Sequence, residues 1–198
     1  MSFEQILTTE LRRWELELPF VLQQQLACFA NEMEHWNRAI NLTALRGEAL
    51  VRRLIVEPIW VGRELAMSGT LMDVGSGNGS PGIPLTVTRQ FKNSFLVEPR
   101  AKRAAFLRHL VAKMSLRNVE VVKDRVENLA QGRVKADWIT LQAIDPNRDM
   151  LESLHRSSSS TTQVVWITSR QSRPVPQARV LRPPDSSSRI WVFGLDQS

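Results

Sequence analysis

A single cysteine in 198 residues excludes an internal disulfide, and a lone thiol fits a reducing cytoplasm. That residue, Cys28, falls on an apolar helical stripe with Leu22, Leu26 and Phe29, where it is expected to act as a small buried hydrophobe. Histidine is almost as scarce, at three. His35 has no His or Cys partner at metal-ligand spacing and reads as a solvated or satisfied side chain, so no metal is expected. So few histidines also exclude a Ser/His/Asp or Cys/His nucleophilic arrangement. The opening Met1-Ser2-Phe3-Glu4-Gln5 lacks a basic leader and a long apolar core, so no signal peptide is expected. No uninterrupted apolar run approaches the length of a membrane span, and there is no internal repeat.

What is present is ordinary in bulk and uneven in detail. Hydrophobic residues make up 42% and charged residues 23%, as in a soluble globular protein. The length suits one compact unit with a sizeable core. The formal charge of +6 is concentrated past the first third of the chain. Residues 1–68 hold 7 basic and 9 acidic side chains, residues 69–130 hold 10 and 5, and residues 131–198 hold 9 and 6. The later, strand-rich part is therefore the basic part, as expected of a surface that faces a polyanion.

Residues 1–68 read as a helical extension. Pro19 suits the first turn of a helix that runs to about Ile40, with Leu22, Leu26, Phe29, Met33 and Trp36 on its apolar stripe. Trp36 is expected in the core. Asn41-Leu42-Thr43 breaks this helix, and Asn37 and Asn41, one turn apart, are expected to share a face. A second helix is predicted over about Glu48–Met67, kinked or divided at Pro58. From Gly69 the pattern alternates. Strands are predicted at Thr70–Val74, Ser94–Glu98, Val119–Lys123, Ala136–Leu141 and Gln163–Thr168, with a basic amphipathic helix over Arg100–Met114. Such alternation implies parallel β-α-β units. The run Ser157–Thr162 reads as a solvated loop. Val175–Arg182 and Ile190–Leu195 read as strand-like pieces able to close the sheet as a terminal hairpin with a long tip.

The most informative stretch is Leu71-Met72-Asp73-Val74-Gly75-Ser76-Gly77-Asn78-Gly79-Ser80-Pro81-Gly82. An apolar strand carrying an acid runs into glycines at every second position, and a helical stretch follows. Glycine tolerates positive φ and lets a ligand approach bare backbone, so the run is either a mere tight turn or a ligand cradle. At a strand's mouth, such a cradle holds nucleotide-like ligands. The dinucleotide fingerprint would need a third glycine where Ser80 stands, and no Gly-Lys-Ser/Thr follows to make a Walker loop. The acid-x-Gly-x-Gly-x-Gly form resembles that of class I methyltransferases, which bind S-adenosylmethionine. Asp73 either orders this turn or faces the ligand's amino group through water. Glu98, about twenty residues on at the end of the second strand, either accepts hydrogen bonds from ribose hydroxyls, the favoured reading, or is a solvated surface acid. Asp124-Arg125-Val126-Glu127, after the third strand, either frames an adenine or forms an exposed helix-start pair. The helix carrying Arg100, Lys102, Arg103, Arg108 and Lys113 presents either a solvated face or RNA phosphate contacts.

Together these stretches resemble the RsmG (GidB) family, bacterial methyltransferases of N7 of a guanine in small-subunit ribosomal RNA. The family's W-N-x-x-x-N-L-T is matched by Trp36-Asn37-Arg38-Ala39-Ile40-Asn41-Leu42-Thr43, and its D-x-G-[ST]-G-x-G-x-P-G-[IL]-P-L by Asp73 through Leu85. Its strand-end acid with a K-R-x-x-F-L helix is matched by Glu98 and Lys102-Arg103-Ala104-Ala105-Phe106-Leu107, and its R-[VAI]-E by Arg125-Val126-Glu127. The resemblance covers about residues 20–140. It implies a class I S-adenosylmethionine-dependent methyltransferase: a Rossmann-like, seven-stranded doubly wound sheet over 69–198 with the helical extension over 1–68. The implied cofactor-binding residues are Asp73, Gly75, Gly77, Gly79, Ser80, Glu98, Val126, Glu127 and Gln142. Asn41 and Gln142 are implied as catalytic, and Arg100, Lys102 and Arg103 as RNA-binding. The implied partner is ribosomal RNA or the small ribosomal subunit, met by a cytoplasmic monomer without metal or membrane.

The departures are specific. Where the family has R-H-x-x-D-S, this chain reads Arg53-Leu54-Ile55-Val56-Glu57-Pro58. Where it has S-R-A after the fourth strand, with an Arg associated with cofactor and catalysis, the chain reads Leu141-Gln142-Ala143. Its L-K-G at the end of the fifth strand reads Ile167-Thr168-Ser169, and the Pro-Gly-Gly before that strand is replaced by the serine run. A second reading is therefore a homologue that binds S-adenosylmethionine and RNA or the ribosome with impaired turnover. A third, a small-molecule methyltransferase, sits poorly with the basic sheet half.

Overall fold

A computed structural model of the chain describes residues 1–168 and 177–195. Helix α1 (Phe3–Arg13) starts at a capping box in which Ser2 and Gln5 exchange side-chain-to-backbone bonds. Helix α2 (Phe20–Ile40) starts directly after Pro19 and ends at Asn41, whose left-handed backbone (φ 48) turns the chain away. Asn37 holds that turn. Its Oδ1 accepts from the Leu42 and Thr43 amides and its Nδ2 donates to the Thr43 carbonyl. Asn37 is thus buried while Asn41 is exposed, and the two amides do not share a face.

The predicted second helix is one helical run, divided by a π turn just before Pro58. It comprises α3 (Gly47–Val51), a π turn (Arg52–Val56) and α4 (Glu57–Glu64). Proline at 58 has no N–H and crowds the carbonyl four residues back. The widened turn, closed by the Glu57 amide on the Arg52 carbonyl, absorbs it.

Seven strands form one sheet: β1 (Gly69–Val74), β2 (Phe91–Val97), β3 (Val119–Val122), β4 (Trp138–Gln142), β5 (Gln163–Thr168), β6 (Arg179–Leu181) and β7 (Arg189–Gly194). Their order is β3-β2-β1-β4-β5-β7-β6, parallel except for β7, which runs antiparallel to both neighbours. The terminal hairpin is present, with residues 182–188 as its long tip; residues 175 and 176 of the predicted strand lie outside the described residues. Helices α5 (Gly82–Thr88), α6 (Ala101–Lys113) and α7 (Arg148–Arg156) connect the strands.

The strands alternate between two cores. Met72, Val74, Ile139, Leu141, Val164 and Trp166 pack under α7. On the other face Leu71, Val165, Ile167, Ile190 and Val192 meet Val61, Met67 and Leu85. On that side, too, the helical extension shares a core with the sheet domain: Leu26, Phe29 and Met33 of α2 cluster with Leu96 and Phe106. Three local expectations change. Cys28 is half-buried beside this core, and burial pushes its thiol up. Trp36 is also only partly buried, its ring 5.6 Å from Phe106 and 5.3 Å from His109. The serine run is not a freely solvated loop: Ser157 and Thr162 are buried, and the Thr162 hydroxyl donates to the Ala136 carbonyl at 2.6 Å.

Candidate active site

The strand order reverses between β1 and β4, where an open sheet parts to leave a crevice at its carboxyl ends. The glycine turn lies there. Gly75 (φ +70), Gly77 (φ +46) and Gly79 (φ +88) all adopt the left-handed backbone that favours glycine. The Gly75 and Ser76 amides both donate to the Val97 carbonyl, at 2.8 and 3.1 Å, which locks the turn onto the neighbouring strand.

The three glycines have different reasons to be glycine. A Cβ on Gly77 would stand 3.3 Å from Arg103 Nη1 and 3.8 Å from Glu98 Oε2, in the crevice itself. One on Gly75 would collide with the tip of Ile144. One on Gly79 would press on Phe29 at 3.0 Å and Ile83 at 3.2 Å, so this glycine serves the packing of α2 against the turn.

Beneath the turn Asp73 is 1% exposed and faces its register partner Thr140, whose hydroxyl donates to Oδ1 at 2.7 Å. Burial pushes the Asp73 carboxyl up to about 6, against the lowering effect of that hydrogen bond. Glu98 is buried at the end of β2 but borders the crevice. Its Oε2 accepts from the Gly77 amide at 3.0 Å and its Oε1 from the Arg100 amide at 2.8 Å. Each oxygen keeps a further lone pair.

The crevice is a cavity of about 570 Å³, within the range of small-molecule sites. The structure brings Gly75, Gly77, Ser80, Glu98, Arg100, Arg103 and Gln142 into its wall. It does not bring Asn41, Asp73, Gly79, Lys102, Val126 or Glu127 there. Asn41 is turned outward as the helix cap. Lys102 is on the solvent side of α6. Val126 is buried in the core at the start of a short 3-10 turn (Val126–Asn128), beside which Asp124 Oδ1 accepts from the Arg125 amide and from Asn128 Nδ2, both at 2.8 Å. Lys113, counted on the basic face, is tied to Glu32 of α2 at 2.7 Å, next to His109 on the same carboxylate.

Sequence reasoning did not single out Thr43, Arg53, Asn78 and Ile144, all of which line the cavity. Thr43 lies inside a quoted motif, and Arg53 was visible only as the flank of a departed one. Two lining residues, Ser80 and Gln142, hold buried oxygens with no hydrogen-bond partner. Such atoms are costly unless something polar meets them. Among the described residues, no helix is long and apolar enough to cross a membrane, and no group of three His, Cys, Asp or Glu side chains is placed to hold a metal ion.

Comparison with known proteins agrees with this architecture. Residues 22–175 match the GidB family, described as rRNA small subunit methyltransferase G. Ribosomal RNA small subunit methyltransferase G of Roseiflexus sp. is 34% identical over 148 residues, which is 70% of this chain and 62% of that protein. The Yersinia enterocolitica protein of the same name is 36% identical over 142 residues, 71% of this chain and 68% of its own length. The chain thus spans about three fifths of some relatives, 62% for Roseiflexus and 61% for Neisseria meningitidis. A SAM-dependent methyltransferase from Aquifex aeolicus superposes with a TM-score of 0.58 at 16% identity, covering 83% of this chain and 97% of that one. An RNA methyltransferase from Salinibacter ruber, crystallised with S-adenosyl-L-homocysteine, gives 0.53 at 19% identity, over 64% of this chain and 80% of that one. At such identities the likeness shows the fold: a class I methyltransferase sheet. With its family motif matched over residues 22–175, this chain belongs to the GidB family of rRNA small subunit methyltransferase G proteins.

Proposed function

We propose that this chain binds S-adenosylmethionine in the cavity and transfers its methyl group to N7 of a guanine in small-subunit ribosomal RNA. The observation that carries the reading is the pairing of Gly77 with Glu98: a bare glycine amide fixes a buried carboxylate at the mouth of the crevice. The residues present suit the cofactor. Glu98 has lone pairs left for ribose hydroxyls, and Gly77 leaves room for close approach. Ser80 Oγ and Gln142 Oε1 offer buried polar contacts, and Leu42, Leu54, Ile144 and Ile167 provide apolar wall that excludes water.

When bound, S-adenosylmethionine supplies a methyl group on a positively charged sulfur that leaves as a neutral thioether. Guanine N7 is a lone-pair nucleophile with no proton to remove. The wall therefore has to orient and desolvate rather than to exchange protons. Arg100 and Arg103 place positive charge at the rim for RNA. The major groove of A-form RNA is too deep and narrow for side chains, so the target guanine belongs in a loop or a distorted helix. A ribosomal RNA substrate places the protein in the cytoplasm, where it acts as a monomer. Incubation with radiolabelled S-adenosylmethionine and unmethylated small-subunit RNA, naked or as subunits, should label a guanine at N7. A chain that neither binds the cofactor nor labels RNA overturns this reading.

One observation favours the second reading, a binder with impaired turnover. Gln142 stands where the resemblance implies arginine, and a neutral amide replaces neither the charge nor the five-donor fork. On this reading Gln142→Arg should raise the rate of methyl transfer or the affinity for cofactor. Vigorous turnover in the wild type, unimproved by that change, removes the second reading.

A further inference from the structure

Arg53 lies in the π turn and lines the cavity, and it is held by one partner a helical turn on and one far away in the chain. Its Nη1 donates to Ser187 Oγ at 3.1 Å, and its Nε stands 3.6 Å from Glu57 Oε2. Glu57 is fully buried, and the same oxygen accepts from the Ser186 hydroxyl. The tip of the terminal hairpin is pinned again where Arg13 meets Asp185 at 2.9 Å. The guanidinium thus stands between a buried carboxylate, met as an ion pair, and a serine loop that accepts one hydrogen bond. Its side chain remains 24% exposed, and the guanidinium has five N–H donors in all.

Its place across the sheet identifies what it can meet. The hairpin tip leads into Arg189, which pairs with Thr168 at the end of β5. Glu98 ends β2, and β1 and β4 lie between. Three strand spacings make roughly 14 Å. The five-atom arm of a nucleoside held by its ribose at Glu98 spans roughly 6–8 Å. An anion at Arg53 therefore belongs to the other substrate.

We propose that Arg53 holds a backbone phosphate of the RNA beside the target nucleotide, with Glu57 and Ser187 as its positioning residues. This rests on the function proposed above. A guanidinium anchored at Nη1 and paired with a buried carboxylate still has donors left for a phosphate, at reduced entropic cost.

The test compares wild type with Arg53→Gln/Glu57→Gln, which removes both charges and so leaves no uncompensated buried carboxylate, and with Arg53→Lys and Ser187→Ala. Fluorescence anisotropy with a hairpin fragment of unmodified small-subunit RNA, over a salt series, reads RNA affinity. Calorimetry reads S-adenosylmethionine. The double variant should bind RNA about fivefold more weakly, with the slope of log affinity against log salt reduced by just under one, and should keep its cofactor affinity. Arg53→Lys should keep the slope. Ser187→Ala, on an exposed loop, should lose two- to threefold in RNA affinity even if the double variant folds poorly. Unchanged RNA affinity and slope in the double variant and in Ser187→Ala reduce Arg53 to a counterion of Glu57. Loss of cofactor affinity in step with RNA affinity also overturns the inference. A wild type that binds no S-adenosylmethionine sinks the proposed function instead, and the two failures are distinguishable.

Discussion

Gly77 does two things with one backbone: its amide fixes Glu98, and its missing side chain keeps the crevice open. Valine at 77 would set a branched side chain against Arg103 and Glu98 on a backbone with φ +46, where β-branched residues are strained. Gly77→Val should lose measurable S-adenosylmethionine binding in calorimetry while the wild type binds; equal binding by both would detach the cofactor from this turn. Asp73, a few ångströms below, is a structural acid and makes a pH prediction. Its folded value of about 6 lies above the ordinary aspartate value of about 3.9, so the folded protein holds this proton more tightly than the unfolded chain. The stability it contributes is full below about pH 4 and is lost as pH rises through about 6. Asp73→Asn keeps an acceptor for Thr140, so its urea midpoint should fall less than that of the wild type between pH 4 and pH 7. Parallel midpoints for the two proteins would assign that titration to another group.

Helix α6 shows how an element divides its charges. Arg100, the residue that precedes it, and Arg103 look into the cavity, Lys102 faces solvent, and Lys113 holds Glu32 of α2. The RNA-binding share of the face should therefore sit in its first turn. Arg100→Gln with Arg103→Gln should weaken RNA binding and flatten its salt dependence, whereas Lys113→Gln should leave the salt slope alone. Its solvent-exposed ion pair is screened and contributes little to stability. Equal slopes for the wild type and the double Arg variant would return α6 to a solvated face. Helix α7 carries a different lesson. Its start is legible after the fact, since Asn147 accepts from the Met150 amide as an N-cap and Leu154 faces the core. The element is short, but Met150, Leu151 and Leu154 fall on one face, so its amphipathic pattern is legible too.

The whole molecule is held at its two ends by one contact zone, in which the terminal hairpin closes the sheet beside β5 and its tip lies against α1 and the π turn. Ile190 is fully buried there, with Val165, Ile167 and Val192 around it. Ile190→Ala should cost about 2–4 kcal/mol of unfolding free energy, read from urea titration. A loss under about 0.5 kcal/mol would mean that the hairpin does not share the main cooperative unit.

The strands, the glycine turn, the acid that ends β2 and the family are legible in the chain alone. Each is written in short-range code: apolar alternation every second residue, glycine where φ must be positive, and an acid at a set distance from the turn. The packed chain alone settles which glycine borders the crevice and which meets Phe29, that Asp73 is buried under the turn, and that Asn41 points away. It also settles that Arg53 belongs to the cavity. The partners that settle these points are distant in the chain: Thr140 is 67 residues from Asp73, Ser186 is 129 from Glu57 and Ser187 is 134 from Arg53. A local pattern records what a backbone segment prefers. Burial and partnership arise only when the sheet order places those segments side by side.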